Sequence, residues 1–156
     1  MPQVKRWLAD PAIADGLNLE PGSGPGPREE LFGVFLPKGR LIGAVRLHRL
    51  DHKANQGSFG VFIGDRRLWG KGLGTEASRQ AVQLLFARGA ARVRIAVLSN
   101  NDRALATYRK IGFQVVGVVP GCVSRPRGLL NTVILQAGPD EVARAAGQGA
   151  QLSTNT

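Results

Sequence analysis

The sequence is poor in the residues from which disulfide frameworks and metal sites are built. It has a single cysteine, Cys122, which excludes an internal disulfide framework. Together with only two histidines, that cysteine nearly excludes a zinc site of the usual ligands. The sequence also lacks an apolar run of the roughly 18 residues that cross a bilayer, and a basic-then-apolar secretory signal at its N-terminus. We therefore expect a cytoplasmic protein without a metal site or a membrane partner.

Acidic residues are scarce as well, so the chain of 156 residues carries a formal charge of +10. The excess is concentrated in residues 31–138, where 17 lysines and arginines outnumber four acids. Such a field favours an anionic partner, which could be a nucleic acid, a phosphorylated cofactor or an acidic surface. A solvated basic surface that aids solubility explains the charge equally well.

Hydrophobic periodicity predicts an α+β (α/β) fold with a mixed, mostly antiparallel central sheet flanked by helices. Alternation of apolar and polar residues predicts three antiparallel strands over 31–36, 41–50 and 58–63. A strand–helix–strand unit follows and implies a right-handed parallel crossover. The later elements are a helix capped by Thr75 and Gly89, a strand over 93–97, a helix from Asn100 or Asn101 to Gly112, strands over 113–119 and 129–136, and a helical turn or two within 140–146.

The length is that of one domain, which we place at residues 1–137. Residues 1–30 form an irregular or helical N-terminal segment, and residues 31–137 form the core. Proline and glycine fill 21–27, which is typical of a flexible loop. Residues 138–156 are predicted to be a tail whose end, 147–156, is disordered because it is small and polar.

The most informative segment is the glycine-rich run of residues 69–76, which lies between a strand and a helix. Glycines let backbone N–H groups approach a ligand closely, and the helix start offers unbonded N–H groups. Lys71 adds a mobile cation, so the run predicts a cradle for a phosphate or pyrophosphate. Its glycine spacing fits neither the Rossmann nor the Walker pattern. A plain glycine-rich turn with a helix cap is the alternative.

A second informative segment covers residues 101–113. Asn101, Ala104 and Tyr108 fall on one face of the predicted helix, and the small residue between two polar ones leaves room for a ligand. Taken singly, each is more typical of a structural role: an N-cap asparagine and an amphipathic tyrosine at the edge of the core.

Together the two segments resemble the GCN5-related N-acetyltransferase (GNAT) family, and most of all its ribosomal-protein and spermidine acetyltransferase branch. The family pattern Gln/Arg-x-x-Gly-x-Gly/Ala falls on residues 69–74, and its pattern Asn-x-x-Ala…Tyr-x-Lys-x-Gly-Phe falls on 101–113. The resemblance covers about residues 31–137. It implies an acyl-CoA N-acyltransferase fold and direct transfer of an acetyl group from acetyl-CoA to an amine. That amine would be a protein N-terminus or a small molecule.

The resemblance also implies where acetyl-CoA binds. Its pyrophosphate would lie on the backbone of residues 70–75, and its pantetheine would pair with the strand that ends at 62–64. Asn101 would contact the cofactor, and the Tyr108 phenol, protonated at pH 7, would protonate the departing thiolate. The implied cofactor-binding residues are Phe62, Ile63, Gly64, Trp69, Gly70, Lys71, Gly72, Leu73, Gly74, Thr75, Asn101, Ala104, Tyr108 and Lys110.

Departures from the family pattern leave alternatives open. Trp69 stands where glutamine or arginine is usual, and Ser58 stands where the branch often has a carboxylate. The family's first strand is missing, so either a partner chain supplies that edge, which favours a homodimer, or the sheet is shorter. The general base is open between His48, His52, Asp51, Glu30 and water.

Two other classes of function compete with the enzyme. Ser58 and the missing strand suggest a catalytically weak acyl-CoA-binding module, although the retained Tyr108 argues against it. The basic core suggests a nucleic-acid-binding protein, but the sequence lacks interleaved surface aromatics for base stacking. For an enzyme, the same basic core disfavours a polycationic acceptor such as a polyamine.

Overall fold

A computed structural model of the chain describes residues 2–10, 13, 29–51, 53, 55–125 and 128–154. Its helices and strands follow the predicted order. They are α1 (Pro2–Leu8), β1 (Glu29–Phe35), β2 (Leu41–Asp51), β3 (Gln56–Ile63), a 3-10 turn (Arg66–Leu68), α2 (Leu73–Ala87), β4 (Arg92–Leu98), α3 (Asp102–Ile111), β5 (Gln114–Arg125), β6 (Gly128–Ala137) and α4 (Pro139–Thr154). The six strands form one sheet in the order β1-β2-β3-β4-β6-β5, so β1 and β5 are its edges.

The first three strands are antiparallel, as the alternation predicts. Val45 and Leu47 of β2 point into the core, whereas Arg46 and His48 lie on the opposite face. A hairpin turn joins β1 to β2, since the Gly39 N–H donates to the Leu36 carbonyl at 2.8 Å. Period-two burial therefore fixes the two faces of this half of the sheet.

The predicted parallel crossover from β3 through α2 to β4 is confirmed, but the two strands pair only briefly. The described ladder joins Gln56 to Arg92 and Gly57 to Val93, and it goes no further. On its other edge β4 pairs with β6 along the length of the strand, from Val93 to Leu98. Beyond Gly57 the two parallel strands therefore diverge, which leaves an opening between them.

Apolar side chains cover both faces of the sheet. The larger cluster lies between the sheet and α2, α3 and the start of α4, where Leu85, Ile111 and Leu135 are fully buried. The smaller cluster packs Val4 and Leu8 of α1 against the other face. Each such side chain stabilises the fold by about 1.5–3 kcal/mol relative to an exposed position. Packing on both faces of the sheet therefore holds in place the strands that border the opening.

The ends of two helices differ from the sequence prediction. α2 begins at Leu73 rather than after Thr75, because Gly72 takes a left-handed conformation, φ 81°, and ends the preceding loop. α4 runs to Thr154 and includes residues predicted to be disordered. Its start is fixed by Val142, which is 4% exposed, and the alanines that follow favour helix.

The ends of α3 agree with the prediction. Asn101 is its N-cap, and the Asn101 Oδ1 accepts a hydrogen bond from the Ala104 N–H at 3.2 Å. Gly112 closes it with φ 123°. Both ends follow from local sequence, because a cap needs only its own helix.

Candidate active site

A cavity of about 620 Å³ lies where β3 and β4 diverge, a size usual for small-molecule sites. The end of β3, the glycine-rich loop, the start of α2, the end of β4 and α3 all contribute to its wall. The structure thereby brings together most residues of the predicted cofactor site: Phe62, Ile63, Trp69, Gly70, Gly72, Leu73, Gly74, Thr75, Asn101, Ala104 and Tyr108.

Three residues of the predicted set are not in the cavity wall. The Gly64 N–H donates to the Ile42 carbonyl at 2.8 Å, and a Cβ on Gly64 would collide with the Trp7 ring. Gly64 is therefore needed for close packing against α1. The side chains of Lys71 and Lys110 are exposed.

The backbone of β3 presents alternate residues to the opening. Since Gly64 donates to Ile42 and Phe62 lies opposite Ala44, the polar groups of these two β3 residues point towards β2. Those of Val61 and Ile63 point the other way, towards the opening. The Ile63 carbonyl accepts the Trp69 Nε1–H at 2.7 Å. Among the described residues, the Val61 N–H and carbonyl and the Ile63 N–H therefore remain available to pair with an extended ligand.

The glycine-rich loop owes two of its glycines to backbone conformation. Gly70 and Gly72 have φ of 77° and 81°, in the left-handed region that favours glycine. A Cβ at either would meet nothing within 4 Å, so the loop also lies open to the cavity. The helix that follows has no side-chain cap. Its first N–H groups, from Leu73 to Thr75, are therefore available to an anion.

Trp69 and Arg103 form a stacked pair at the cavity. The Arg103 guanidinium lies 4.7 Å from the centroid of the Trp69 ring, and Arg66 lies 5.7 Å from it. Arg66 also pairs with Asp10 at 2.9 Å, whereas Arg103 has no carboxylate partner among the described residues. Stacking uses the flat face of the guanidinium and leaves its N–H edge for a phosphate. Trp69 thus has a role that the usual glutamine or arginine would not have.

Tyr108 lines the cavity and is buried, with 7% of the residue exposed. The rings of Phe59 and Phe113 hold it, each with its centroid 5.8 Å away. Burial raises the pKa of Tyr108 to about 12, so the phenol stays protonated at neutral pH. No described residue forms a hydrogen bond with the hydroxyl, which leaves it free to donate to a ligand.

The candidate general bases are not equivalent in the structure. Glu30 pairs with Arg88 at 3.0 Å, and His52 and the side chain of Asp51 lie outside the described residues. His48 Nδ1 lies 2.8 Å from Glu29 Oε1. The sequence does not predict Glu29 as a site residue, because His48, which Glu29 contacts, lies 19 positions further along the chain.

Several cavity residues have no distinguishing sequence signal. No motif or spacing distinguishes them in the sequence, and only the tertiary structure brings them to the cavity. They are Ile13, Val61, Leu68, Leu98, Asn100, Asp102, Arg103 and Thr107.

The described residues contain no cluster of three or more histidine, cysteine, aspartate or glutamate side chains that could hold a metal ion. No helix in the described ranges is long and apolar enough to span a membrane.

Comparison with known proteins identifies one family. The sequence profile of the family described as "Acetyltransferase (GNAT) domain" matches residues 3–114. No curated protein matches the sequence.

Solved structures with the same fold have low sequence identity. Spermidine N-acetyltransferase from Vibrio cholerae, in complex with CoA and spermine, has a TM-score of 0.80 at 16% identity and covers 89% of each chain. A chimera of that enzyme, SpeG, with hSSAT has a TM-score of 0.69 at 19% identity over 75% of this chain and 70% of the other. A putative phosphinothricin N-acetyltransferase has a TM-score of 0.63 at 18% identity over 74% of each.

Proposed function

This chain belongs to the GNAT family and is an acetyl-CoA-dependent N-acetyltransferase, and we propose that it holds acetyl-CoA in the cavity between β3 and β4. One observation carries this proposal. A single cavity is lined both by an uncapped, glycine-rich helix start and by Tyr108, whose hydroxyl has no hydrogen-bond partner among the described residues. The first feature suits a pyrophosphate and the second suits a leaving thiolate.

In this proposal each wall of the cavity contacts one part of acetyl-CoA. The N–H groups of residues 70–75 bind the pyrophosphate, and the stacked Arg103 binds a second phosphate. Val61 and Ile63 pair with the amides of the pantetheine as a neighbouring strand would. The acetyl group then lies at the narrow inner end of the opening, beside Tyr108. Lys71 and Lys110 contribute charge at the exposed mouth, and Asn101 orients the start of α3.

Tyr108 acts as the acid in the proposed reaction. The amine nitrogen forms its bond to the acetyl carbon as the carbon–sulfur bond breaks, and the Tyr108 hydroxyl donates its proton to the sulfur. The nitrogen loses one proton to a base, and the Tyr108 phenolate regains a proton from water, so the protons balance. A phenol with a pKa of about 12 stays protonated until charge develops on the sulfur. Because the amine attacks directly, no residue of this chain becomes acylated.

The charges around the cavity bear on the acceptor. A polyamine needs several carboxylates, but Asp102 is the sole acidic residue among the cavity residues described. The acceptor we propose is therefore a protein N-terminus or a small amine with one positive charge. The Vibrio cholerae enzyme in complex with CoA and spermine shares the fold. A polyamine is therefore the alternative acceptor, and the amine screen compares it with the acceptor proposed here.

An amine screen tests the proposed function. The chain is incubated with acetyl-CoA and, in turn, with spermidine, small monoamines and short peptides with free N-termini, and free thiol is followed. We expect amine-dependent thiol release with a monoamine or a peptide, at a higher kcat/KM than with spermidine. A preference for spermidine contradicts the proposed acceptor. Binding of acetyl-CoA without release for any amine favours the cofactor-binding module.

We also propose that residues 1–137 form a single domain and that residues 138–156 pack on it through Val142. The protein is proposed to be a cytoplasmic homodimer. A cytoplasmic location is supported by the need for acetyl-CoA. The dimer is supported by the edge strand β5, where four valines are 42–53% exposed: Val115, Val116, Val118 and Val119.

A further inference from the structure

An acid, an imidazole and a hydroxyl lie in one row across the first three strands. The register places Glu29 of β1 opposite His48 of β2, and His48 opposite Ser58 of β3. Residues directly opposite each other in an antiparallel sheet share a face and lie about 4.5–5.5 Å apart between Cβ atoms. The row lies on the face opposite to Leu47 and Phe59, the side away from α2.

Glu29 fixes the orientation of the imidazole. Its Oε1 lies 2.8 Å from His48 Nδ1, and its Oε2 accepts from Arg46 Nε at 2.7 Å. The side chains of Glu29 and Arg46 are 13% and 15% exposed, whereas that of His48 is 40% exposed. In the neutral ring, Nδ1 must carry the proton to donate to Glu29. The other nitrogen, Nε2, is then the proton acceptor.

The row ends at Ser58 on β3, three residues before Val61, the first β3 residue of the cavity wall. The parallel ladder of β3 and β4 stops at Gly57, so Ser58 is the first β3 residue beside the opening. The next residue, Phe59, packs on Tyr108 from the other face, with ring centroids 5.8 Å apart. The row and Tyr108 therefore approach the inner end of the opening from opposite faces of the sheet.

We propose that Ser58 and His48 carry the proton away from the attacking amine, with Glu29 as a positioning residue. As the nitrogen bonds to the acetyl carbon, its proton passes to the Ser58 oxygen and the Ser58 hydroxyl proton passes to His48 Nε2. Tyr108 meanwhile protonates the sulfur. The resulting imidazolium is balanced by Glu29 and returns its proton to solvent through its exposed edge. This inference rests on the proposed acetyl transfer and supplies the base that a lone serine cannot.

The charges around His48 suit a base at neutral pH. Burial has the largest effect on the pKa of His48 and lowers it; the Arg46 guanidinium lowers it as well, and together they outweigh the Glu29 carboxylate, which raises it. Glu29 and Arg46 are the charged groups that act on this ring among the described residues. Since the pKa lies below its ordinary value of about 6.5, the neutral form prevails at pH 7. The rate should fall as pH falls through that pKa.

Four variants test the relay: His48→Gln, Ser58→Ala, Glu29→Gln and, as a matched control, Glu30→Gln. Glu30 is next to Glu29 but pairs with Arg88 of α2. The readouts are kcat/KM for one amine from pH 5 to 9 and the Kd of acetyl-CoA. We expect His48→Gln to lower kcat/KM about 10²-fold and to remove the acidic limb that wild type shows. Ser58→Ala should lower the rate similarly, Glu29→Gln should move the limb to lower pH, and all four should keep the Kd.

Ser58→Ala leaves the Glu29, His48 and Arg46 contacts intact, so the test does not depend on how His48→Gln folds. An active wild type whose rate and pH profile are unchanged by Ser58→Ala or by His48→Gln overturns the relay alone. An equal loss in Glu30→Gln also overturns it, since that loss would reflect charge rather than position. A wild type that releases no thiol with any amine overturns the proposed function as well.

Discussion

Tyr108 is the residue on which the proposed chemistry depends most. Its ring is held by Phe59 and Phe113, and its hydroxyl has no protein partner among the described residues. An unsatisfied buried hydroxyl is costly unless a ligand or water completes it. A donor held in place before the substrate arrives needs no reorganisation during the reaction.

Replacing Tyr108 with phenylalanine removes the proton donor and keeps the packed ring. We expect Tyr108→Phe to lower kcat about tenfold to a hundredfold, the low end for general acid catalysis, because a thiolate of pKa about 8.5 leaves fairly well unaided. The affinity for acetyl-CoA should stay nearly unchanged. Steady-state rates with amines of different basicity measure the effect, which should be largest for the least basic amine. Equal turnover of the two proteins from pH 6 to 9 would reduce the tyrosine to a wall of the cavity.

Arg103 is a second residue whose role is open to a direct test. Arg103→Met keeps an apolar stem against Trp69 and removes the charge. We expect it to weaken CoA binding about tenfold or more and to weaken 3′-dephospho-CoA less, if the guanidinium contacts the 3′-phosphate. Isothermal titration with both ligands measures the difference. Arg109→Met, also on α3 and outside the cavity wall, is the control. Unchanged CoA affinity in Arg103→Met would remove Arg103 from the site.

The sequence predicts residues whose role is local and misses those whose role depends on tertiary contacts. Asn101 is predictable as a cap because a cap needs only the next three residues. Arg103 belongs to the cavity because Trp69, which lies 34 positions earlier, supports its guanidinium. Glu29 reaches His48 only through the register of β1 and β2. No periodicity within either strand encodes that register.

At the scale of elements, the loop and helix that follow β3 do most to create the site. Two left-handed glycines turn the chain, and α2 then starts without a side-chain cap. The order of elements was predictable because period-two and helical patterns alternate along the chain. The opening itself was not, since no local pattern shows that the ladder between β3 and β4 ends after Gly57.

The two glycines at the start of α2 should respond oppositely to alanine. Gly74 is in the helix, and a Cβ there meets only the Ile63 Cγ1 at 4.0 Å, so Gly74→Ala should stabilise the ligand-free protein by about 0.5–1 kcal/mol. Gly72 has φ 81°, so Gly72→Ala should destabilise it by about 1–2 kcal/mol. Urea unfolding measures both. Equal effects of the two changes would contradict this account of the loop.

At the scale of the whole molecule, the exposed surface combines a basic field with an apolar edge. The missing-strand argument from sequence favoured association at β1, where Phe35 is 56% exposed. The structure adds a stronger candidate at the opposite edge, because β5 pairs with β6 on one side only and carries the exposed valines. Open edges of this kind invite pairing with another chain.

Light scattering decides whether the chain is a dimer and which edge joins it. We expect wild type to have twice the monomer mass of 16.6 kDa. The double change Val116→Lys and Val118→Lys should give a monomer, since it places two charges on the β5 edge. Phe35→Lys should leave the dimer intact. A monomeric wild type at every concentration contradicts the dimer, and dissociation by Phe35→Lys alone assigns the interface to β1.

The most direct test of the central claim is the binding of acetyl-CoA to wild type, Gly74→Ala and Gly74→Asp, measured by thermal unfolding and titration calorimetry. An acid in the first turn of a helix suits its dipole, so Gly74→Asp should fold as stably as Gly74→Ala. At about 100 times its Kd, acetyl-CoA should stabilise wild type and Gly74→Ala by roughly 2.7 kcal/mol. It should not stabilise Gly74→Asp, whose carboxylate occupies the place proposed for the pyrophosphate. Equal stabilisation of all three proteins, or of none at millimolar acetyl-CoA, would contradict binding at this cavity.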